Sequence, residues 1–175
     1  IYTDNRKTLA YPEIRSFVKQ ELVHLVHEHF ADATAVAGVA TGAIAQGALV
    51  ADELGLPFCY VRSKAKDHGM GNLIEGTLPE GAKVVVVEDL ISTGGSSLKA
   101  VEALREAGFK VVGMVASYTY GFQIAEEAFN AADLKLVTIC DYEATTEIAA
   151  ESGYISKEDI EVLKQWRKSP STWKQ

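Results

Sequence analysis

The fold of this chain is decided by the stretch Val84-Val85-Val86-Val87-Glu88-Asp89-Leu90-Ile91-Ser92-Thr93-Gly94-Gly95-Ser96-Ser97. Four consecutive β-branched residues are typical of a strand that is buried on both faces of a parallel sheet. Two carboxylates follow at the carboxyl end of that strand, and small hydroxyl and glycine residues lead into a helical pattern. In open α/β sheets, ligands bind where strands end and helices begin. The stretch therefore predicts a central strand with a ligand site at its carboxyl end.

The run Thr93–Ser97 offers backbone N–H groups at a helix N-terminus together with hydroxyl donors, which is typical of a phosphate cradle. It is not a Walker A loop, because no Gly-Lys-Ser/Thr closes it. Glu88 and Asp89 would repel a bare phosphate, so the ligand should also present sugar hydroxyls, Mg²⁺ or both. The run therefore predicts a site for a phosphorylated sugar. A purely structural turn, with the acids as helix N-terminal charges, explains fewer of these consecutive positions.

Composition indicates an ordinary globular protein of one domain, spanning residues 1–175, with 47% apolar and 23% charged residues. The net charge of −7 argues against nucleic acid or an anionic membrane as a partner. No transmembrane stretch or signal peptide is visible. Cys59 and Cys140 are interpreted as buried free thiols in a reducing cytoplasm. The chain begins at Ile1 without Met, so we expect that an N-terminal piece is missing.

Strands and helices are predicted to alternate along the chain. Pro12 begins a helix with apolar residues at three- and four-residue spacing, and its histidines (His24, His27 and His29) are interpreted as a solvated face rather than a metal site. Strands are predicted at 35–40, 57–62, 84–87, 110–117 and 134–139, and helices at 43–54, 98–104, 121–131 and 144–150. A last helix is expected after Ser156, with Asp159 as its capping partner. This alternation predicts an α/β, doubly wound, mainly parallel sheet.

Two further segments are candidates for binding. The turn formed by Ala40, Thr41 and Gly42 follows a predicted strand and is a second candidate anion site. The segment 63–81 has little periodicity and gathers cations in an otherwise acidic chain, and its glycines permit hinging. We expect its part 63–76 to be a lid that orders on ligand binding, with a solvated hairpin as the alternative.

Val84 to Ser96 resembles the phosphoribosyl-diphosphate (PRPP) motif of the type I phosphoribosyltransferases, which has four hydrophobic residues, two acids, two hydrophobic residues and Ser-Thr-Gly-Gly-Ser. In that family the acids hold the ribose hydroxyls and the following loop holds the 5′-phosphate. The resemblance implies the type I fold, with a small N-terminal hood that is partly missing here. It also implies that PRPP is bound by Glu88, Asp89, Leu90, Ile91, Ser92, Thr93, Gly94, Gly95 and Ser96, and that Ala40, Thr41 and Gly42 form the pyrophosphate loop.

A second resemblance is to the orotate phosphoribosyltransferases. Arg62-Ser63-Lys64-Ala65-Lys66-Asp67-His68-Gly69 is similar to their catalytic loop, and Ile1 to Arg6 is similar to the end of their N-terminal Ser-Pro-x-Tyr-x-Asp-x-Arg segment. It implies transfer of ribose 5-phosphate from PRPP to orotate in pyrimidine synthesis, in a homodimer whose subunits share their sites. Lys66, His68 and Asp89 would be catalytic, and Arg62, Lys66 and His68 would also bind PRPP. Mg²⁺ would be held through PRPP and water, without a direct protein ligand.

Orotate is expected to contact Ser92, but its carboxylate partner stays open. Some family members carry a Lys after the loop Arg, where this chain has Ser63, and an Arg where it has Tyr118-Thr119-Tyr120-Gly121. Arg6 is the nearest candidate in sequence. A purine phosphoribosyltransferase is the alternative enzyme, but it leaves the spacing of Arg62, Lys66 and His68 unexplained. A PRPP-sensing regulator is the non-enzyme alternative. It should carry a basic nucleic-acid face or an appended DNA-binding domain, and neither fits a net charge of −7 in so short a chain.

Overall fold

The computed structural model describes residues 2–63, 73–170 and 173. The helices are a 3₁₀ helix (Asn5–Ala10), α1 (Pro12–His29), α2 (Ile44–Leu54), α3 (Gly95–Glu106), α4 (Gln123–Ala131), α5 (Tyr142–Glu151) and α6 (Lys157–Lys168). The strands are β1 (Ala35–Val39), β2 (Phe58–Val61), β3 (Ile74–Glu75), β4 (Lys83–Ile91), β5 (Lys110–Thr119) and β6 (Leu136–Asp141). They form one sheet in the order β3-β2-β1-β4-β5-β6. Its pairs are parallel except the antiparallel pair β2 and β3, so the predicted mainly parallel sheet is confirmed.

The central strand β4 is buried on both faces because helices cover the sheet from both sides. Val84 and Val86 belong to a core with residues of α3 and α4, whereas Val85 and Val87 belong to a core with residues of α1 and α2. Successive strand side chains point to opposite faces, so the run of valines supplies both layers at once. This arrangement confirms the doubly wound architecture.

Several element ends follow from local chemistry. Pro12 occupies the first turn of α1, and Gly55 ends α2 with a left-handed φ of 64°. Ser156 and Asp159 form a reciprocal capping box at the start of α6, as the sequence predicts. The N-terminal segment contacts the carboxyl ends of β4 and β5 through the side chains of Asn5 and Tyr120. This is the side of the sheet where a hood is expected.

The structure corrects four expectations. The sequence up to Arg6 predicts a short extended segment, but a 3₁₀ helix begins at Asn5. The segment 63–81 is not wholly irregular, because β3 pairs with the edge of β2. β4 does not end before the acids but continues to Ile91, because its carboxyl half still pairs with β5. Cys140 is only half-buried, at the end of the edge strand β6, whereas Cys59 is buried in the core.

Features of the described residues bear on other classes of function. None of their helices has the length and apolarity that crossing a membrane requires. His24 and His27 are exposed and His29 is half-buried on α1, which agrees with a solvated face. Within residues 2–63, 73–170 and 173, no three His, Cys, Asp or Glu side chains are grouped as metal ligands.

Candidate active site

The phosphate cradle predicted at Thr93–Ser97 is the N-terminus of α3. The helix begins at Gly95, with Gly94 as its N-cap in a left-handed conformation of φ 82°. A Cβ on Gly94 would lie 2.7 Å from the ring of Phe129, so both the backbone angle and the space require glycine. The first backbone N–H groups of a helix have no partner within the helix. The first N–H groups of α3 follow the exposed residues Ser92 and Thr93. Backbone donors and hydroxyl groups at a helix N-terminus can together bind an anion.

The turn after β1 meets the second acid of β4. A Cβ built on Gly42 would lie 2.6 Å from Oδ1 of Asp89, so the carboxylate lies against the bare backbone of this turn. The Ala40–Thr41 peptide is cis, and the N–H of Ala40 donates to the carbonyl of Val61 on β2. The structure thus brings together two segments that the sequence predicts separately as parts of a site, the turn 40–42 and the run Val84 to Ser96.

The first acid of β4 is placed differently. Glu88 is on the α3 face, and its exposed fraction is 4%. Its Oε2 accepts from Oγ of Ser97 at 2.8 Å, and its Oε1 accepts from the N–H of Asp89 at 2.9 Å. Burial raises the pKa of Glu88 to about 8, and its interaction with Asp89 adds to that rise. The sequence predicts the two acids to act as one pair, whereas Glu88 bonds to Ser97 of α3 and Asp89 lies against Gly42, because adjacent strand residues alternate.

Arg62 lies at the carboxyl end of β2, where its Nη1 is 3.4 Å from Oε1 of Glu75. It lines a cavity of about 510 Å³ between the carboxyl ends of β1 and β2 and the helix α3. The lining includes the predicted site residues Ala40, Arg62, Gly95 and Ser96, as well as Ser63 and Lys99. Lys99 was not singled out from the sequence. It follows Gly95 by four residues, which places it on the face of α3 that carries the cradle, and helical spacing was the signal that would have found it.

Arg6 is exposed and held by its own segment. Its Nε is 2.8 Å from Oδ1 of Asp4, and its Nη2 donates to the Tyr2 hydroxyl at 2.8 Å. The hydrogen bond from Arg6 lowers the pKa of the Asp4 carboxyl. The Asp89 carboxylate adds to the field that raises the pKa of Arg6, behind the larger contribution of Asp4. Arg6 is therefore within electrostatic range of the site, and its contact with orotate stays a prediction.

The remaining site residues divide into two groups. Leu90 and Ile91 are strand residues of β4, and the carbonyl of Ile91 accepts from the N–H of Tyr120. Lys66 and His68 lie outside the described residues, as does most of the expected lid 63–76. Two hydrogen bonds to this end of β4 were missed, from Asn5 to the Asp89 carbonyl and from Ser97 to Glu88. Both join residues that are distant along the chain or on different elements, so no local pattern signals them.

Comparison with known proteins agrees with this geometry. Residues 14–152 match the family model "Phosphoribosyl transferase domain". The chain is 64% identical over 173 residues to an orotate phosphoribosyltransferase of Porphyromonas gingivalis, covering 99% of this chain and 82% of the relative. It is 50% identical to an orotate phosphoribosyltransferase of Listeria innocua, covering 99% and 83%.

A solved structure leads to the same family. The crystal structure of the orotate phosphoribosyltransferase from Aeropyrum pernix superposes with a TM-score of 0.78 at 32% identity, covering 89% of this chain and 85% of the other. The family model, the two relatives and this fold match agree with the PRPP motif found at the carboxyl end of β4. The chain therefore belongs to the phosphoribosyl transferase domain family and, within it, to the orotate phosphoribosyltransferases.

Proposed function

We propose that this chain transfers ribose 5-phosphate from PRPP to N1 of orotate, giving orotidine 5′-phosphate and diphosphate in pyrimidine nucleotide synthesis. One observation carries the proposal: the Asp89 carboxylate lies against the Gly42 backbone, at the sheet edge where α3 begins. There the Asp89 carboxylate can accept hydrogen bonds from sugar hydroxyls. The turn 40–42 and the first turn of α3 are two backbone sites for anions beside it. PRPP presents those groups together, a ribose between a 5′-phosphate and a diphosphate.

Each part of the site has a role in this scheme. The first N–H groups of α3, with the hydroxyls of Thr93 and Ser96, hold the 5′-phosphate, and Asp89 accepts from the ribose hydroxyls. Glu88 fixes the end of β4 to α3 through Ser97, and any contact with the ribose stays a prediction. The turn 40–42 and Arg62 face the diphosphate. Ser92, directly after β4, is the proposed contact for orotate.

In the reaction, the bond from the anomeric carbon to the diphosphate oxygen breaks, a bond from that carbon to N1 of orotate forms, and the N1 proton passes to the departing diphosphate. Positive charge builds on the ribose and negative charge on the departing diphosphate. Lys66 and His68 of the loop, together with Arg62, are proposed to stabilise the leaving group. Closure of the loop would also exclude water, which could otherwise capture the ribosyl cation. Asp89 is proposed to hold the ribose hydroxyls, so its negative charge would favour the positive charge that builds on the ribose.

Mg²⁺ is proposed to be coordinated by PRPP and not by a set of protein ligands. The chemistry of the donor set fits this arrangement, because Asp89 is a single carboxylate at the edge and Glu88 is turned to the other face. The diphosphate oxygens and water would hold the ion. Bound there, Mg²⁺ would neutralise diphosphate charge.

The chain is further proposed to act in the cytoplasm as a homodimer whose loops close over the neighbouring site. The exposed Tyr11, Ile14 and Phe17 on one side of α1 supply apolar surface that a second copy would cover. Sedimentation of the natural full-length protein at assay concentration measures its mass in solution. A monomer with full activity would contradict the shared site.

We expect the natural full-length protein to consume orotate when PRPP and Mg²⁺ are present, measured as loss of orotate absorbance. Hypoxanthine, adenine and uracil should not be consumed under the same conditions. A chelator should stop the reaction, because the diphosphate would lose its counter-ion. Efficient turnover of hypoxanthine with none of orotate would favour the purine enzyme instead, and PRPP binding without any turnover would favour the regulator.

A further inference from the structure

Two long-range hydrogen bonds tie the N-terminal segment 2–6 to the end of the sheet that carries the site. The backbone N–H of Thr3 donates to the Tyr120 hydroxyl at 3.0 Å. The Nδ2 of Asn5 donates to the backbone carbonyl of Asp89 at 2.8 Å. The first bond joins residues 117 positions apart and the second joins residues 84 positions apart. Both anchors lie at the carboxyl ends of neighbouring strands, β5 and β4.

Tyr120 is a rigid anchor because its ring is packed on several sides. Its exposed fraction is 6%. Its ring stacks on Phe122 with centroids 5.3 Å apart and meets the edges of Tyr118 at 5.4 Å and Trp166 at 5.7 Å. The Nε of Arg167 donates to the Tyr120 carbonyl at 3.1 Å. The ring is therefore fixed, and its hydroxyl, which also lies 3.3 Å from Oγ1 of Thr3, has a defined position.

The second bond reaches the catalytic strand itself. Asn5 holds the carbonyl of the residue whose carboxylate lies against Gly42, so the N-terminal segment and the PRPP site share one backbone unit. Arg6 follows directly, and the Asp89 carboxylate acts on its charge. Orotate carries a carboxylate, and Arg6, whose guanidinium pairs with Asp4 at the surface, is a cation of this anchored segment.

We propose that Asn5 and Tyr120 are positioning residues that seat the segment 2–6 over the acceptor side of the site, so that Arg6 meets the carboxylate of orotate; this rests on the proposed orotate transfer. Neither residue touches the reacting atoms. They act through the placement of Arg6, so their loss should weaken orotate binding and leave PRPP binding and the chemical step nearly unchanged.

The test uses Tyr120→Phe in the natural full-length protein, with Tyr142→Phe as the matched control. Tyr142 belongs to the same aromatic cluster and is equally buried, but its hydroxyl donates to the carbonyl of Leu163. Tyr120→Phe should raise the KM for orotate roughly 3- to 10-fold, the range expected for one lost hydrogen bond, with kcat and the KM for PRPP within about twofold. Tyr142→Phe should keep the wild-type KM for orotate.

Arg6→Ala completes a double-mutant cycle. If Tyr120 acts through Arg6, the double variant should show no higher KM for orotate than Arg6→Ala alone. Equal KM values for orotate in Tyr120→Phe and Tyr142→Phe would overturn the proposal, as would additive effects in the cycle. Should Tyr120→Phe fail to fold, Asn5→Ala at a half-exposed position makes the same comparison, and an unchanged KM for orotate there would equally overturn it.

Amide exchange separates this proposal from the proposed function. Tyr120→Phe should speed exchange of the Thr3 amide, whereas Tyr142→Phe should not, and this readout needs no substrate. A wild-type protein that ignores orotate would refute the proposed function even if exchange responds. A wild-type protein that uses orotate, with an unchanged KM in Tyr120→Phe, would refute the positioning role alone.

Discussion

Substituting Gly42 by alanine is expected to lower kcat/KM for PRPP by roughly 10²-fold or more, because misplacement of a site group by about 1 Å costs this much. The new Cβ would lie 2.6 Å from Oδ1 of Asp89. The carboxylate must turn away or the turn 40–42 must shift, and either movement separates the ribose acceptor from the diphosphate loop. Initial rates at varied PRPP, together with calorimetric titration of PRPP, measure the loss.

Gly55→Ala is the control for this variant. Gly55 has a left-handed φ of 64° and no neighbour within 4 Å of an added Cβ, so alanine there is strained but touches nothing. Its thermal stability should fall while the KM for PRPP stays at the wild-type value. Wild-type PRPP affinity in Gly42→Ala would mean that the contact between Asp89 and the turn has no part in binding.

The second large effect is the pH dependence that the buried Glu88 gives to the free energy of unfolding. Burial raises its folded pKa to about 8 from an ordinary value of 4.5, so the native state binds a proton that the unfolded state releases. A raised folded pKa gives stability that is full below pH 4.5 and is lost as the pH rises to about 8. Within that window the free energy of unfolding should fall by up to about 1.4 kcal/mol per pH unit from this group.

Glu88→Gln should remove that dependence. The amide oxygen can accept from the Asp89 N–H, and the amide nitrogen can donate to the Ser97 hydroxyl, so both contacts have a counterpart. Urea unfolding between pH 5 and pH 8 should give a flatter profile for Glu88→Gln than for the wild type. Glu147→Gln, which removes an exposed carboxylate on α5, should keep the wild-type slope. A wild-type slope in Glu88→Gln would mean that Glu88 is ionised in the folded protein at neutral pH.

The PRPP motif and the alternation of strands and helices were predictable from sequence because both are local patterns. Val84 to Val87 indicated a strand buried on both faces, and the glycine and hydroxyl run indicated a helix N-terminus, as the structure has them. The end of β4 was misjudged because charged residues usually close a buried strand. Here Glu88 stays inside because Ser97 and the Asp89 N–H satisfy its oxygens.

The contacts that assemble the site could not be predicted in the same way. The approach of Gly42 to Asp89 and the bond from Asn5 to the Asp89 carbonyl depend on the order of strands in the sheet. No spacing along the chain encodes them. The same holds for Tyr120, whose hydroxyl reaches Thr3 only because β5 lies beside β4. The different surroundings of Glu88 and Asp89 could have been predicted, because the side chains of adjacent strand residues alternate in direction.

The central claim is that PRPP binds at the carboxyl edge of the sheet, between the turn 40–42 and the first turn of α3. Amide spectra of ¹⁵N-labelled protein, titrated with PRPP and Mg²⁺, test it most directly. Gly42, Thr93, Gly95 and Ser96 should shift together with one dissociation constant, while Gly55 and Gly108, which lie after the ends of α2 and α3, should not. Saturable shifts confined to residues at the amino ends of the strands, with the Gly42 and Gly95 signals unmoved, would contradict the account.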